Sequence, residues 1–485
     1  MQTKDPRDFE IANSQTADGN YLALAAALIL TFSMLIIFVG LIWLSALQSS
    51  VDGVTTASGA RSAIVALSVC FGLVMIVRSL DTWAPHWLPW VGVAITTFFI
   101  VVAGLLFQTG NRDTAFALYG GFQVPRAGRL FSDTHWILSW FSCDLCEEWD
   151  PVYGPGLVLL EPLTASQIGV SWLPLLGFLL FLMAALALLV VAKSSESLGR
   201  WILVFAAASP AWLLLVERAN WDILVIAVLV IGAAVIARRP TYGAWATFAV
   251  SIWILGTIKT YPFALGVVLL VSLGLRFGWV IVTCYLIATA LFAAVFFDSL
   301  WQAGDLYSSP ELLPYEPGSS PAYGRVLVSE QLTGIVEGST ASVVTTVLLI
   351  LILAFAGWWG WVAHNSAVWQ QSRQRLAILS LAGATAFLAK ALVVGFGFAY
   401  AGAALLLVVP AIQLLSGQRS VRNGSMVALA LLVLVAVFGS YNVVLGSLAG
   451  FVVAGFGLGF GTRVVWEIIQ TRWKTHESMD ESAKS

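Results

Sequence analysis

Long apolar runs alternate with short polar connections along most of this chain. The runs are about 18 to 25 residues long, the length that a helix needs to cross a hydrocarbon core of roughly 30 Å. The pattern therefore predicts an all-α polytopic membrane protein with about fourteen spans. The predicted spans lie near 21–47, 62–78, 89–109, 171–192, 201–216, 221–237, 243–258, 261–275, 278–297, 341–363, 376–396, 398–415, 425–441 and 443–461.

Two pairs of predicted spans are joined by very short turns. These pairs cover 201–237 and 243–275, and either could consist of broken or re-entrant helices instead of full crossings. The expected number of transmembrane helices is accordingly 12 to 14.

Lys and Arg in the short connections predict the orientation of the bundle, because cytoplasmic loops carry an excess of these residues. With fourteen spans they fall on one side, which is then cytoplasmic together with the tails 1–20 and 462–485 of a plasma-membrane protein. The transmembrane bundle covers 21–461, and two long loops, 110–170 and 298–340, lie on the extracytoplasmic face. The basic residues are Lys193, Arg200, Arg238, Arg239, Arg276, Arg373, Arg375, Arg419, Arg422, Arg463, Arg472 and Lys474.

Composition makes the charged positions of this chain conspicuous. The sequence is 59% hydrophobic and only 10% charged, and its net charge of −2 gives no indication of a binding partner. Membrane lipids are the expected surroundings, and nothing in the sequence suggests a nucleic-acid partner.

The first long loop contains a dense polar stretch, "FSDTHWILSWFSCDLCEEWDPVYGPG". Asp133 and His135 are its candidates for chemistry. Cys143 and Cys146 are predicted to form a disulfide on the oxidising face, because a zinc site would need two further ligands. No cofactor is required by this pattern, but the acidic residues around Asp150 leave a divalent cation with oxygen ligands as an open alternative.

Two short motifs add charge between predicted spans. "VERANWD" contributes Arg218, Asn220 and Asp222, and "GTIKTYP" contributes Lys259 and Tyr261. A charged side chain in the middle of a membrane costs about 2.5–3.5 kcal/mol on insertion scales, so such residues are commonly functional. The alternative is that they extend to the interface as ordinary turn residues.

The later part of the chain supplies three more candidates. Arg325 and Gln331 lie in the second long loop just ahead of a predicted span, and Lys390 lies inside a late span, "FLAKALVVGFG". A cation at that depth needs a carboxylate or a lipid phosphate as its partner.

Acidic loops, cations and a large apolar bundle suit one chemistry in particular. A polyprenyl-phosphate-linked sugar donor needs a groove for its tail, a cation for its phosphate and a carboxylate that deprotonates the acceptor hydroxyl. This combination predicts a glycosyltransferase that acts on an envelope glycan or lipid acceptor at the outer face.

The order of motifs also resembles a known family. "DPVYGPGLVLLEPL", "ERANWDILVIAVLVIGAAVIARR", "GTIKTYPFALGVVLL" and "SEQLTGIV" follow one another as in the GT-C glycosyltransferases. Over roughly residues 110–345 the chain is most similar to the mannosyl- and arabinofuranosyltransferase-like group, which uses polyprenyl-phosphate sugars. One departure is that the acidic loop follows the third predicted span, whereas GT-C enzymes usually carry it after the first.

The resemblance implies roles for individual residues. The catalytic base maps onto Asp133, with Asp113 and Asp150 as rivals and His135 nearby. The cation that binds the donor phosphate maps onto Lys259, helped by Arg218. Apart from the resemblance, Tyr261 and Lys390 are further candidates for the donor phosphate, and Asn220, Asp222, Arg325 and Gln331 are candidates for the acceptor or for loop shape.

Two other functions remain open from the sequence. Asp222 and Lys390 would suit the coupling site of a secondary transporter, and a flippase or polymerase of envelope polymers would share the lipid-phosphate groove. The essential charge lies at an outer loop in a transferase and along a midplane path in a transporter, so its position distinguishes the two.

Overall fold

A computed structural model describes much of the chain from Pro85 onward. It covers residues 85, 87–109, 130–131, 133–134, 173–298, 300, 324–333, 338–363, 373–394, 399–412, 419–439 and 443–484. The predicted spans near 21–47 and 62–78, and most of both long loops, lie outside the described residues. Every regular element within the described residues is helical.

Most described helices lie close to predicted spans, and one further helix lies within the predicted second loop, 298–340. Those before the second loop are α1 (Leu88–Gln108), α2 (Leu173–Lys193), α3 (Ser197–Ala206), α4 (Pro210–Glu217), α5 (Asp222–Arg238), α6 (Tyr242–Ile258), a 3₁₀ helix (Tyr261–Gly274) and α7 (Gly278–Val295). The later ones are α8 (Arg325–Thr333), α9 (Gly338–Val362), α10 (Arg373–Leu388) with a π-helical end (Ala389–Val394), a second 3₁₀ helix (Ala399–Val408), α11 (Val409–Ile412), α12 (Arg419–Val437) and α13 (Val443–Lys484).

Six described helices are long and apolar enough to cross a membrane, or seven if one bent pair forms a single span. The bent pair is α3 and α4, which meet at 58°. Pro210 begins α4, and Ser209 caps it by accepting a hydrogen bond from the Trp212 N–H. This N-terminal capping signal starts a new helix inside the predicted span 201–216.

The last helix is longer than the predicted final span. α13 continues without a break from Val443 to Lys484, and so includes the stretch 462–484 that the sequence indicated as part of a tail. Arg472 on this extension donates hydrogen bonds to the carbonyl oxygens of Leu273 and Leu275, where the first 3₁₀ helix ends.

α10 and α13 lie at the centre of the bundle, whereas α7 and α9 lie at its edge. The candidate spans in α10 and α13 are each 72% buried, against 17% in α7 and 22% in α9. Large apolar side chains such as Leu291 and Phe355 are exposed on the edge helices, as expected for a surface that contacts lipid tails.

α5 and α10 are antiparallel neighbours, and their contacts define two ends of the bundle. Asp222 at the start of α5 contacts Lys390 beyond the end of α10. Arg238 at the other end of α5 acts electrostatically on Arg375 in the first turn of α10. We refer to these as the Asp222 end and the Arg238 end.

Candidate functional site

A short segment of the first long loop is fixed to the connection between α4 and α5. The Phe131 N–H donates to the Glu217 carbonyl at 2.8 Å, and the Asp133 N–H donates to the Arg218 carbonyl at 3.0 Å. The Thr134 hydroxyl continues the series by donating to the carbonyl of Ala219 at 2.7 Å. These hydrogen bonds hold Asp133, a residue of the predicted loop, against the "VERANWD" motif.

The carboxylate of Asp133 is held on both oxygens. Arg218 donates to Oδ1 from Nε at 2.6 Å and from Nη2 at 2.5 Å. Asn220 donates from Nδ2 to Oδ2 at 2.6 Å. Both partners of Asp133 thus come from the α4–α5 connection, and the carboxylate is buried.

Arg218 remains charged although its side chain is only 12% exposed. Burial by itself lowers the pKa of its guanidinium, but the adjacent Asp133 carboxylate and Glu217 outweigh this effect and raise the pKa above its usual value. The guanidinium of Arg218 therefore keeps its positive charge beside the carboxylate of Asp133.

Asn220 joins Asp133 to a second carboxylate. Its Oδ1 accepts hydrogen bonds from Lys259 Nζ at 2.8 Å and from the Asp222 backbone N–H at 2.9 Å, while its Nδ2 is bound to Asp133. The amide of Asn220 thus donates to Asp133 and accepts from the backbone and the lysine next to Asp222.

The carboxylate of Asp222 is bound by two lysines and a tyrosine. Its Oδ1 accepts from Lys259 Nζ at 2.7 Å and from the Tyr261 hydroxyl at 3.0 Å, and its Oδ2 pairs with Lys390 Nζ. The Asp222 side chain is only 5% exposed. A carboxylate buried to this degree requires compensation, and these three donors provide it.

Lys390 also lies against two aromatic rings. Its Nζ is 4.3 Å from the centre of the Tyr261 ring and 5.5 Å from that of Tyr400, both within the range of cation–π attraction. Tyr400 was missed by the sequence analysis, and only its position at the start of a predicted span could have suggested it. It lies near Arg218 as well, so it borders both halves of the network.

The connected residues are called the charged network below; they are Asp133, Arg218, Asn220, Asp222, Lys259, Tyr261 and Lys390. Its sequence partners are far apart, since 85 residues separate Asp133 from Arg218 and 168 separate Asp222 from Lys390. Three cations contact the two carboxylates, and buried Glu217 lies beside Arg218. An anion that entered would have to exchange with one of these carboxylates.

The backbone around the charged network is irregular. The first 3₁₀ helix begins at Tyr261, the π-helical segment includes Lys390, and the second 3₁₀ helix begins beside Tyr400. A 3₁₀ helix as long as fourteen residues is uncommon, and π-helical turns are frequent at functional sites. Departures from ideal helix geometry thus coincide with the charged residues.

The described contacts of the charged network do not involve the other predicted site residues. His135, Asp113, Asp150, Cys143 and Cys146 lie outside the described residues, as does the side chain of Gln331. Arg325 begins α8, next to Gly324, whose N–H donates to Ser447 on α13. The contacts described for the charged network do not include Arg325.

No group of three or more His, Cys, Asp or Glu side chains in the described part of the chain is placed to hold a metal ion. The described acidic oxygens of Asp133 and Asp222 are instead bound by protein donors. The acidic residues near Asp150 lie outside the described residues.

Comparisons of the chain with protein-family models, with curated proteins and with solved structures find no match.

Proposed function

We propose that this multi-pass membrane protein is a glycosyltransferase that uses a polyprenyl-phosphate sugar. The sugar is transferred to an envelope glycan or glycolipid on the outer face of the plasma membrane, within a GT-C-like bundle of 12 to 14 helices. The observation that carries the proposal is the convergence of Asp133, Arg218 and Lys259 in one buried network at one end of an apolar bundle.

The charged network divides naturally into two parts. In the proposed reaction Asp133 accepts the proton of the acceptor hydroxyl, while Arg218 and Lys259 hold the donor phosphate with help from Tyr261 and Lys390. The acceptor oxygen forms a bond to the anomeric carbon, and the bond from that carbon to the phosphate oxygen breaks. Polyprenyl phosphate leaves with the bonding electrons, so no covalent enzyme intermediate is needed.

The ion pair between Asp133 and Arg218 supports a coupling between donor binding and access to the base. Both oxygens of the Asp133 carboxylate already accept hydrogen bonds from protein donors. In the proposal the donor phosphate takes over Arg218, which frees Oδ1 of Asp133 to accept a hydrogen bond from the acceptor hydroxyl. The base is then available only when donor is bound.

A secondary transporter is the second candidate, because Asp222 pairs with Lys390 inside the bundle. Lys390, however, lies three residues before the end of the candidate span Gln374–Val393, and Asp222 is the first residue of α5. Both charges are joined through Asn220 to Asp133, a residue of the first long loop, and this connection favours the transferase.

Transfer activity of Asp133→Asn tests the proposed base. Purified full-length protein in nanodiscs is given a set of hexosyl and pentosyl polyprenyl phosphates with envelope glycolipid acceptors, and the labelled product is counted. We expect Asp133→Asn to lower the rate by about 10²–10⁴-fold, the usual contribution of a general base. Glu467→Gln is the matched control, because Glu467 pairs with Arg463 on α13.

Donor binding by Lys259→Ala tests the proposed phosphate site. Binding of polyprenyl phosphate itself is measured by competition with a photoreactive analogue, and we expect at least roughly tenfold weaker binding from loss of a charge-assisted contact.

Transfer by Asp133→Asn at the wild-type rate would show that Asp133 is not the base. Unchanged donor binding by Lys259→Ala would remove the phosphate assignment.

A further inference from the structure

Several arginines at the Arg238 end have partners of their own. Arg200 Nε donates to the Ser195 carbonyl at 3.1 Å, and Arg463 Nε lies 3.0 Å from a carboxylate oxygen of Glu467. Arg472 donates to three backbone carbonyls, the closest of them at 2.6 Å. Intramolecular hydrogen bonds thus bind these guanidinium groups.

Arg375 differs from these arginines. Its Nε is buried and has no hydrogen-bond partner among the described residues, and the charged side chain that acts on it is another cation, Arg238. The preceding sequence 364–372, "HNSAVWQQS", contains no acidic residue, and neither does the connection "RPT" after Arg238. A buried orphan donor beside a like charge is unfavourable unless an anion completes the site.

The backbone adds further donors at the same place. α10 begins at Arg373, so its first N–H groups lack intrahelical acceptors and face the end of the helix where Arg375 lies. A helix of sixteen residues also directs the positive end of its dipole there. An anion at this position would accept from side-chain and backbone donors together.

Lipid-facing apolar side chains lead up to these arginines. On α5, Ile231 and Val235 are 42% and 47% exposed, and Arg239 follows at the same helical spacing. Arg238 lies three residues after Val235 and is itself exposed. One face of α5 therefore presents an apolar stripe that ends in positive charge, which matches the shape of a phospholipid.

We propose that Arg238 and Arg375 bind the phosphate of an anionic membrane phospholipid whose acyl chains lie along Ile231 and Val235. The site lies at the opposite end of α5 and α10 from the charged network, so it does not depend on the proposed transferase activity. The lipid would supply the negative charge that the described residues around Arg375 lack, and it would hold α5 against α10.

Lipid retention by a double variant tests the site. Full-length protein is purified in detergent, mixed with equal amounts of phosphatidylglycerol and phosphatidylcholine, and examined by native mass spectrometry. We expect wild-type protein to retain phosphatidylglycerol preferentially and Arg238→Gln/Arg375→Gln to lose roughly tenfold in its apparent affinity. Arg200→Gln is the control, since it removes the same charge from an arginine bound to the Ser195 carbonyl.

Three outcomes would overturn the proposal. The double variant would retain phosphatidylglycerol as the wild type does, or Arg200→Gln would reduce retention equally, which would indicate a general charge effect. Alternatively, millimolar inorganic phosphate would displace the lipid completely, which would indicate a site for a free anion. Thermal unfolding of each variant in phosphatidylcholine nanodiscs confirms that the compared proteins are folded.

Discussion

At the scale of single residues, Ala219 shows how tightly the charged network is constrained. It lies between Arg218 and Asn220, is fully buried, and has a φ of 46°, in the left-handed region that residues with a Cβ atom rarely adopt. Its carbonyl accepts the hydrogen bond from Thr134. This strained position turns the chain so that both neighbours reach Asp133.

Ala219→Val is expected to destabilise the protein by about 1–3 kcal/mol, because a β-branched residue fits neither the left-handed conformation nor the buried space. Ala219→Gly is the matched control and is expected to remain within about 1 kcal/mol of the wild type, since glycine adopts this conformation freely. Thermal unfolding in detergent measures both. Equal stability of the two variants would show that the left-handed geometry is unimportant.

At the scale of elements, α2 positions the segment that carries Asp133. A Cβ atom at Gly177 would overlap the ring of Phe131, so the absence of a side chain on α2 lets the ring pack there. Phe131 has a φ of 59° and precedes Asp133 by two residues. The contact therefore links a transmembrane helix to the Asp133 carboxylate.

Gly177→Leu is expected to displace Phe131 and weaken the pairing of Asp133 with Arg218. We expect sugar transfer to fall by at least about tenfold, since small displacements of catalytic groups have large effects on rate. The assay is the transfer reaction described above. Combining it with Phe131→Ala removes the overlap and should restore part of the activity, so a double variant no better than Gly177→Leu would contradict this account.

At the scale of the whole molecule, close packing of α9 against α13 holds an edge helix to the central one. A Cβ atom at Gly459 would overlap the carbonyl of Gly357, and one at Gly360 would overlap the carbonyl of Phe456. Lipid tails are as apolar as leucine, so helices in a membrane associate through such close backbone contacts.

Gly459→Leu is expected to separate α9 from α13 and to destabilise the fold by at least about 2 kcal/mol, because backbone atoms cannot yield as a flexible side chain can. Apparent melting temperature in nanodiscs is the measurement. Gly243→Leu is the control, since a Cβ atom at Gly243 would meet nothing within 4 Å. A melting temperature for Gly459→Leu equal to that of the control would refute the packing role.

The positions of several helices were the part of the fold that local sequence predicted well. α1, α5 and α6 begin and end within a residue or two of the predicted spans, because hydropathy along the chain decides which stretch a membrane accepts. The bend between α3 and α4 lies inside a single predicted span, 201–216, and was not foreseen. The 3₁₀ and π-helical segments were not foreseen, since they depend on neighbouring helices.

The candidate site was predictable as a set of residues but not as an arrangement. Apolar surroundings made Arg218, Asp222, Lys259 and Lys390 conspicuous, because isolated charges are costly there. The sequence did not predict that Asp133 is paired with Arg218, nor that Asp222 is shared by two lysines.

The sequence by itself determined that this is a helical membrane protein and where most of its helices lie, because partition into lipid depends on the local run of side chains. Only the tertiary structure decided which charges meet. The pairing of Asp133 with Arg218, and the charged contacts at the two ends of α5 and α10, depend on which helices are neighbours. The physical reason is that a buried charge needs an oppositely charged partner close to it in space. Closeness between residues that lie 85 or 168 positions apart in sequence is set by the packing of the whole bundle.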